Sequence, residues 1–159
     1  MKHQKVIALV AHDHRKPDLI EWVAWNHALL AEHRLVCTGT TGRLVEQALA
    51  RKAAEAEGVF PVPPIRKLKS GPLGGDQQLG ALIAEGLIDM VIFFWDPMQP
   101  QPHDVDVKAL LRLAVVYNIP MACTRSTADF LISSPLMARA YTPAVTDYSA
   151  YIGRQTDAG

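Results

Sequence analysis

Five side chains that exchange protons, His12, Asp76, Asp96, His103 and Asp106, fall just after apolar runs or near the starts of helical patterns. Imidazoles and carboxylates gathered at one site do general acid–base chemistry, taking a proton from one substrate atom and delivering one to another. A second set suits an anion. Thr38-Gly39-Thr40-Thr41-Gly42 joins an apolar run to a helical pattern, Lys16 follows His12 closely, and Ser70-Gly71 opens a glycine-rich stretch that ends at Asp76. Free amides at a helix start, with threonine hydroxyls, can surround a phosphate, and Lys16 can bring a point charge to it.

Each feature also has a plain structural use. The threonines can cap their own helix, and Asp76 can be an N-cap contributing about 1 kcal/mol. Asp96-Pro97 can start a turn, and Gly71, Gly74 and Gly75 can serve turns that meet no ligand. All five acid–base residues nevertheless collect at one expected sheet edge, which favours a site. His12-Asp13-His14 with His103-Asp104 also admits metal ligation, but the His-x-His pattern belongs mainly to larger barrels, so no metal is expected. The threonine loop lacks the terminal Lys-Ser/Thr of a P-loop and the dinucleotide GxGxxG spacing, and no G-x-S-x-G occurs.

The elements that must position these groups read as alternating strands and helices. Lys5 to Ala11, unbroken apolar from Val6 onward, suits a parallel strand covered on both faces. The spacing predicts a helix over 17–33, a strand over 35–38 and a helix over 44–57. Pro61-Val62-Pro63-Pro64 limits the next stretch to an edge strand or an excursion. A helix over 75–85, a strand over 90–95, a helix over 106–117, a short strand over 119–123 and a helix from 128 follow. This alternation predicts a doubly wound, mainly parallel five-stranded sheet, a three-layer Rossmann-like α/β fold, with any ligand beyond the carboxyl ends of its strands.

With 159 residues, 49% of them hydrophobic, the chain reads as a single domain over 1–159 with a core that needs no disulfide. Sixteen basic against sixteen acidic residues leave no field to gather nucleic acid or acidic lipid. Cys37 and Cys123 are too separated for a CxxC pair and suit reduced thiols in the cytoplasm. The apolar run Val6 to Ala11 is too short for a signal peptide or a membrane span.

Taken in order, several segments resemble methylglyoxal synthase: Ala8-Leu9-Val10-Ala11-His12-Asp13-His14, the threonine loop, Ser70-Gly71-Pro72-Leu73-Gly74-Gly75-Asp76-Gln77-Gln78, Phe93-Phe94-Trp95-Asp96-Pro97, Pro102-His103-Asp104 with Asp106 to Arg112, and Thr127-Ala128-Asp129-Phe130. The resemblance implies conversion of dihydroxyacetone phosphate to methylglyoxal and inorganic phosphate, without cofactor, in a cytoplasmic homohexamer inhibited by free phosphate. It makes Asp76 the base, with the proton expected to leave the carbon that bears the phosphate ester. It sets His12 and His103 at the substrate oxygens, and Lys16, Thr38, Gly39, Thr40, Thr41, Ser70 and Gly71 around the phosphate. Asp13, Asp96 and Asp106 support them.

The same parts would serve a sugar-phosphate isomerase, because both reactions pass through an enediolate. A non-catalytic phosphate-binding regulatory module would need the cradle without the acid–base set. The stretch from Gly42 to Ser70 is longer than usual in the family, Thr124 stands where asparagine is common, and Arg154 is the nearest candidate for an arginine that reaches a neighbouring subunit.

Overall fold

The computed structural model describes residues 1–55, 61–99 and 104–152. Five strands, β1 (Val6–Ala11), β2 (Arg34–Cys37), β3 (Ile65–Lys67), β4 (Met90–Phe94) and β5 (Met121–Ala122), form one all-parallel sheet in the order β3-β2-β1-β4-β5. The helices are α1 (Lys16–Trp25), α2 (His27–Ala31), α3 (Gly39–Glu55), α4 (Gly75–Ala84), α5 (Asp104–Val116), α6 (Arg125–Ile132) and α7 (Ser149–Ile152), with 3₁₀ turns at Asp13–Arg15, Gly71–Leu73 and Pro135–Ala138.

The central strand β1 buries both faces. Ile7, Leu9 and Ala11 join Leu19, Trp22 and Leu49 of α1 and α3 in one core, while Ala8 and Val10 face Leu79, Ile83 and Leu110 of α4 and α5 in the other. Two covered faces explain why the strand reads as an unbroken apolar run. Connections leave β1 for β2 on one side, while β4 pairs on the other, so the topological switch lies between β1 and β4. His12 and Asp96 follow those two strands. Among the described residues no helix is long and apolar enough to cross a membrane.

Several expected boundaries move for identifiable reasons. The helix expected over 17–33 breaks at Asn26, whose backbone leaves the helical region and whose side-chain amide donates to Trp22 O at 2.9 Å, in competition with the helix ladder. The threonine loop is not a loop: α3 begins at Gly39, so the Thr-Thr pair forms its first turn. The prolines at 61–64 precede β3, which pairs with β2 at the sheet edge. Thr124 caps α6 by accepting the Thr127 amide at 3.2 Å.

At the opposite end of the sheet from His12, buried His33 accepts the Lys5 amide on Nδ1 at 3.4 Å. Burial holds its imidazole below the ordinary value of 6.5, against the opposing pull of Glu32 and Asp89 and with help from Lys5. Above that value both folded and unfolded chains are neutral here. Below it the unfolded chain takes up the proton first, so stability is lost as pH falls toward and through the folded value. Urea unfolding should therefore show a drop in stability on acidification that is smaller in His33→Gln; an unchanged pH dependence would contradict this placement.

Backbone packing also constrains the turn before α4. A Cβ on Gly75 would lie 2.0 Å from Lys69 O, whereas one on Gly80 would lie 3.1 Å from Leu113 Cδ1, a side-chain end that can shift. Gly75→Ala should lower the unfolding free energy by about 3 kcal/mol. Gly80→Ala should stay within about 1 kcal/mol of wild type, because helix propensity offsets the contact. Equal denaturation midpoints for the two variants would contradict the packing described here.

Candidate active site

Three chain segments converge beyond the carboxyl ends of β1 and β2 to enclose a cavity of about 260 Å³. The first leaves β1. Its backbone continues the ladder to β4 for one more bond, His12 N–H to Phe94 O at 3.2 Å, and then turns into the 3₁₀ turn. His12 is buried, with its ring edge-on to Phe93 at 5.2 Å between centroids. The turn separates the two histidines of the His-x-His pattern: His12 lines the cavity, while His14 is exposed and does not. Among the described residues there is no group of three His, Cys, Asp or Glu side chains that could hold a metal ion.

Asp13 and Lys16 also line the cavity and form an ion pair with each other. The Lys16 ammonium, through its hydrogen bond and its charge, holds the Asp13 carboxyl below the ordinary carboxylate value.

The second segment is the start of α3. Gly39 N–H donates to Lys69 O at 3.1 Å and Gly42 N–H to Thr38 O at 2.9 Å, so the amides this turn can offer a ligand are those of Thr40 and Thr41. Gly39 therefore does not belong with the cradle residues. Its amide is taken and it does not line the cavity, while Thr38, Thr40 and Thr41 do. Thr41 Oγ1 is buried and has no hydrogen-bond partner among the described residues. A buried hydroxyl beside a helix N-terminus suits an anion. The neighbouring Cys37 thiol offers no nucleophile, since burial pushes its pKa up to about 12.

The third segment runs from Lys69 into α4. Ser70 O accepts the amides of Leu73 at 3.0 Å and Gly75 at 2.9 Å, which folds Ser70-Gly71 over the cavity. Gln78 Oε1 anchors the turn from the helix side by accepting the Lys69 amide at 2.8 Å. Gly74, at φ 95°, occupies the N-cap position, so Asp76 is not a capping residue. It sits in the first turn of α4, only 4% exposed, and lines the same cavity as the threonines. The positive end of the helix dipole favours a carboxylate there.

The remaining expectations divide. Asp96 meets His12 through its backbone amide without lining the cavity, and Asp106 in α5 is half-buried and does not line it either. His103 and Arg154 lie outside the described residues. Val10, Ala11, Pro72 and Phe93 complete the wall, none of them among the site residues that the sequence points to. Phe93 was legible in principle, because its parity on β4 matches that of Val91 on the α4–α5 face.

Comparison with known proteins agrees with this geometry. The MGS-like domain family matches residues 18–124. The chain is 57% identical to the methylglyoxal synthase of Maridesulfovibrio salexigens over 98% of this chain and 99% of that one. It is 55% identical to that of Oleidesulfovibrio alaskensis over 97% of each. The crystal structure of methylglyoxal synthase from Elizabethkingia anophelis superposes with a TM-score of 0.87 at 50% identity, covering 100% of this chain and 97% of that one. Identity of this order over nearly the whole of each chain establishes that the chain belongs to the methylglyoxal synthase family.

Proposed function

We propose that this protein is a methylglyoxal synthase that converts dihydroxyacetone phosphate to methylglyoxal and inorganic phosphate. The observation that carries the reading is a buried carboxylate, Asp76, in the same cavity as the first turn of α3 and Lys16. In this reading the amides of Thr40 and Thr41, the hydroxyls of Thr38, Thr41 and Ser70, and the Lys16 ammonium hold the phosphate dianion. Gly71 shapes the loop above it. Asp76 is the base, and His12, with His103, meets the substrate oxygens. Asp13 orients Lys16.

Electron balance corrects one expectation. A proton removed from the carbon bearing the phosphate ester would leave a vinyl phosphate, with no electron pair placed to expel the leaving group. The proton must instead leave the hydroxymethyl carbon. Its C–H pair then forms a double bond to the carbonyl carbon, and the carbonyl π pair becomes the enediolate oxygen. The hydroxyl on the former hydroxymethyl carbon next gives up its proton to the departing phosphate as its electrons push through the double bond and break the bridging C–O bond. Phosphate departs, and the remaining enol ketonises to methylglyoxal. A donor aimed at the enediolate oxygen can contribute roughly 3 kcal/mol to such a step.

The finer features implied by the family belong to the same proposal: a one-domain cytoplasmic homohexamer, inhibited by phosphate and needing no cofactor. Trp25 and Phe130, 83% and 81% exposed beside one groove, support a subunit contact that light scattering of the purified protein tests.

Purified protein incubated with the triose phosphate should release methylglyoxal and phosphate in equal amounts above the spontaneous rate. Accumulation of glyceraldehyde 3-phosphate would favour the isomerase, and binding without turnover the regulatory module. Asp76→Asn should lower kcat by roughly 10²- to 10⁴-fold while phosphate binds as well as to wild type or better, because a nearby negative charge is gone. Retained turnover would contradict the base assignment. Thr41→Val, which keeps shape and removes the buried hydroxyl, should weaken phosphate binding about tenfold or more by calorimetry. Unaltered affinity would place the anion elsewhere.

A further inference from the structure

We propose that Asp96 is a positioning residue that holds His12 in its neutral, Nε2-protonated form, so that His12 serves the reaction as a hydrogen-bond donor and not as a base. The catalytic half of this inference rests on the methylglyoxal synthase reading; the tautomer does not.

The parallel register of β1 and β4, Val10 beside Phe93 and Ala11 beside Phe94, carries His12 next to the chain that leaves β4. There the Asp96 backbone N–H donates to His12 Nδ1 at 3.3 Å. An amide N–H only donates, so Nδ1 must present a lone pair, and the single proton of a neutral imidazole then resides on Nε2. Protonating the ring would place an Nδ1–H against the Asp96 N–H, two donors facing each other. The ring is held in this orientation by burial and by the edge-on contact with Phe93 at an interplanar angle of 79°.

The Asp96 side chain accounts for the aim of the amide. Its Oδ1 accepts the Met98 N–H at 3.1 Å, closing an Asx turn across Pro97. The carboxylate thus shapes the loop while the backbone meets the imidazole. Among the described residues, the titratable and charged groups near the ring are Asp13 beside it, His14 on the same turn, Lys16 from α1, Asp76 from α4 and Asp96 itself. The carboxylates among them favour an imidazolium and Lys16 opposes it; the Asp96 amide adds a directional bias toward the neutral ring. A neutral imidazole N–H is suited to a developing enediolate, since it supplies a donor without a fixed cation.

Long-range ¹H–¹⁵N spectra of histidine-labelled protein read the tautomer directly. Wild type at neutral pH should show His12 protonated on Nε2 alone. Asp96→Ala, which opens the Asx turn, should give mixed tautomers and a kcat about tenfold lower, with KM little altered. Asp96→Asn keeps a side-chain acceptor for the Met98 amide and should restore most of that loss together with the single tautomer. An Nδ1-protonated or cationic His12 in wild type would overturn the inference, as would an Asn variant no better than Ala, which would make the charge the working feature. Because the spectra need no turnover, the expected tautomer in a protein that makes no methylglyoxal would overturn the functional reading and the donor role with it, leaving the tautomer assignment intact.

Discussion

One backbone carbonyl, that of Lys69, joins the two halves of the site. It accepts the Gly39 amide at 3.1 Å, which docks the start of α3, and it lies where any side chain at position 75 would collide, at 2.0 Å from the Cβ position. The helix that starts at Gly39 and the helix that presents Asp76 are therefore tied to the same short stretch of chain. A displacement of that stretch would move the first turn of α3 and the Asp76 carboxylate relative to one another. Reactions that depend on a proton leaving one carbon of an anchored substrate are sensitive to such displacements, because misplacement of about 1 Å can cost on the order of 10²-fold in rate.

The charges around the cavity follow from this arrangement. The overall balance of sixteen basic and sixteen acidic residues gives no long-range attraction, so binding of an anionic substrate must come from local donors. Lys16 supplies the ammonium at the cavity, partnered by Asp13, and the helix start supplies dipoles that need no counterion. Asp76 keeps its place at the start of α4, where the dipole of its own helix favours a carboxylate. The cavity thus brings the threonines at the start of α3 and the buried Asp76 at the start of α4 side by side, each with its own helix terminus.

Much of this was legible in the amino-acid sequence because the governing patterns are local. The buried strands β1 and β4 appear as unbroken apolar runs, and the polar residues that follow them mark the sheet edge where His12 and Asp96 lie. Other features depend on packing that no local pattern records. The Thr-Thr pair reads as a loop because glycines flank it, yet Gly39 is needed for close approach to Ser70 and the helix begins there. Asp76 resembles a capping residue until Gly74, in the left-handed region, is seen to hold the cap position. The parity of Phe93 on β4 gives its face but not its reach to the cavity, and the meeting of the Asp96 amide with His12 joins residues that follow different strands. His103, prominent in the sequence, lies outside the described residues.

The central claim is that Asp76 removes a proton from the carbon remote from the anchored phosphate, and that this loss leads to expulsion of the ester oxygen. Phosphate release can be followed from two forms of dihydroxyacetone phosphate, one deuterated at the hydroxymethyl carbon and one at the carbon bearing the ester. The account predicts that release slows only with the first. Slowing confined to the second, or equal rates with both, would contradict it.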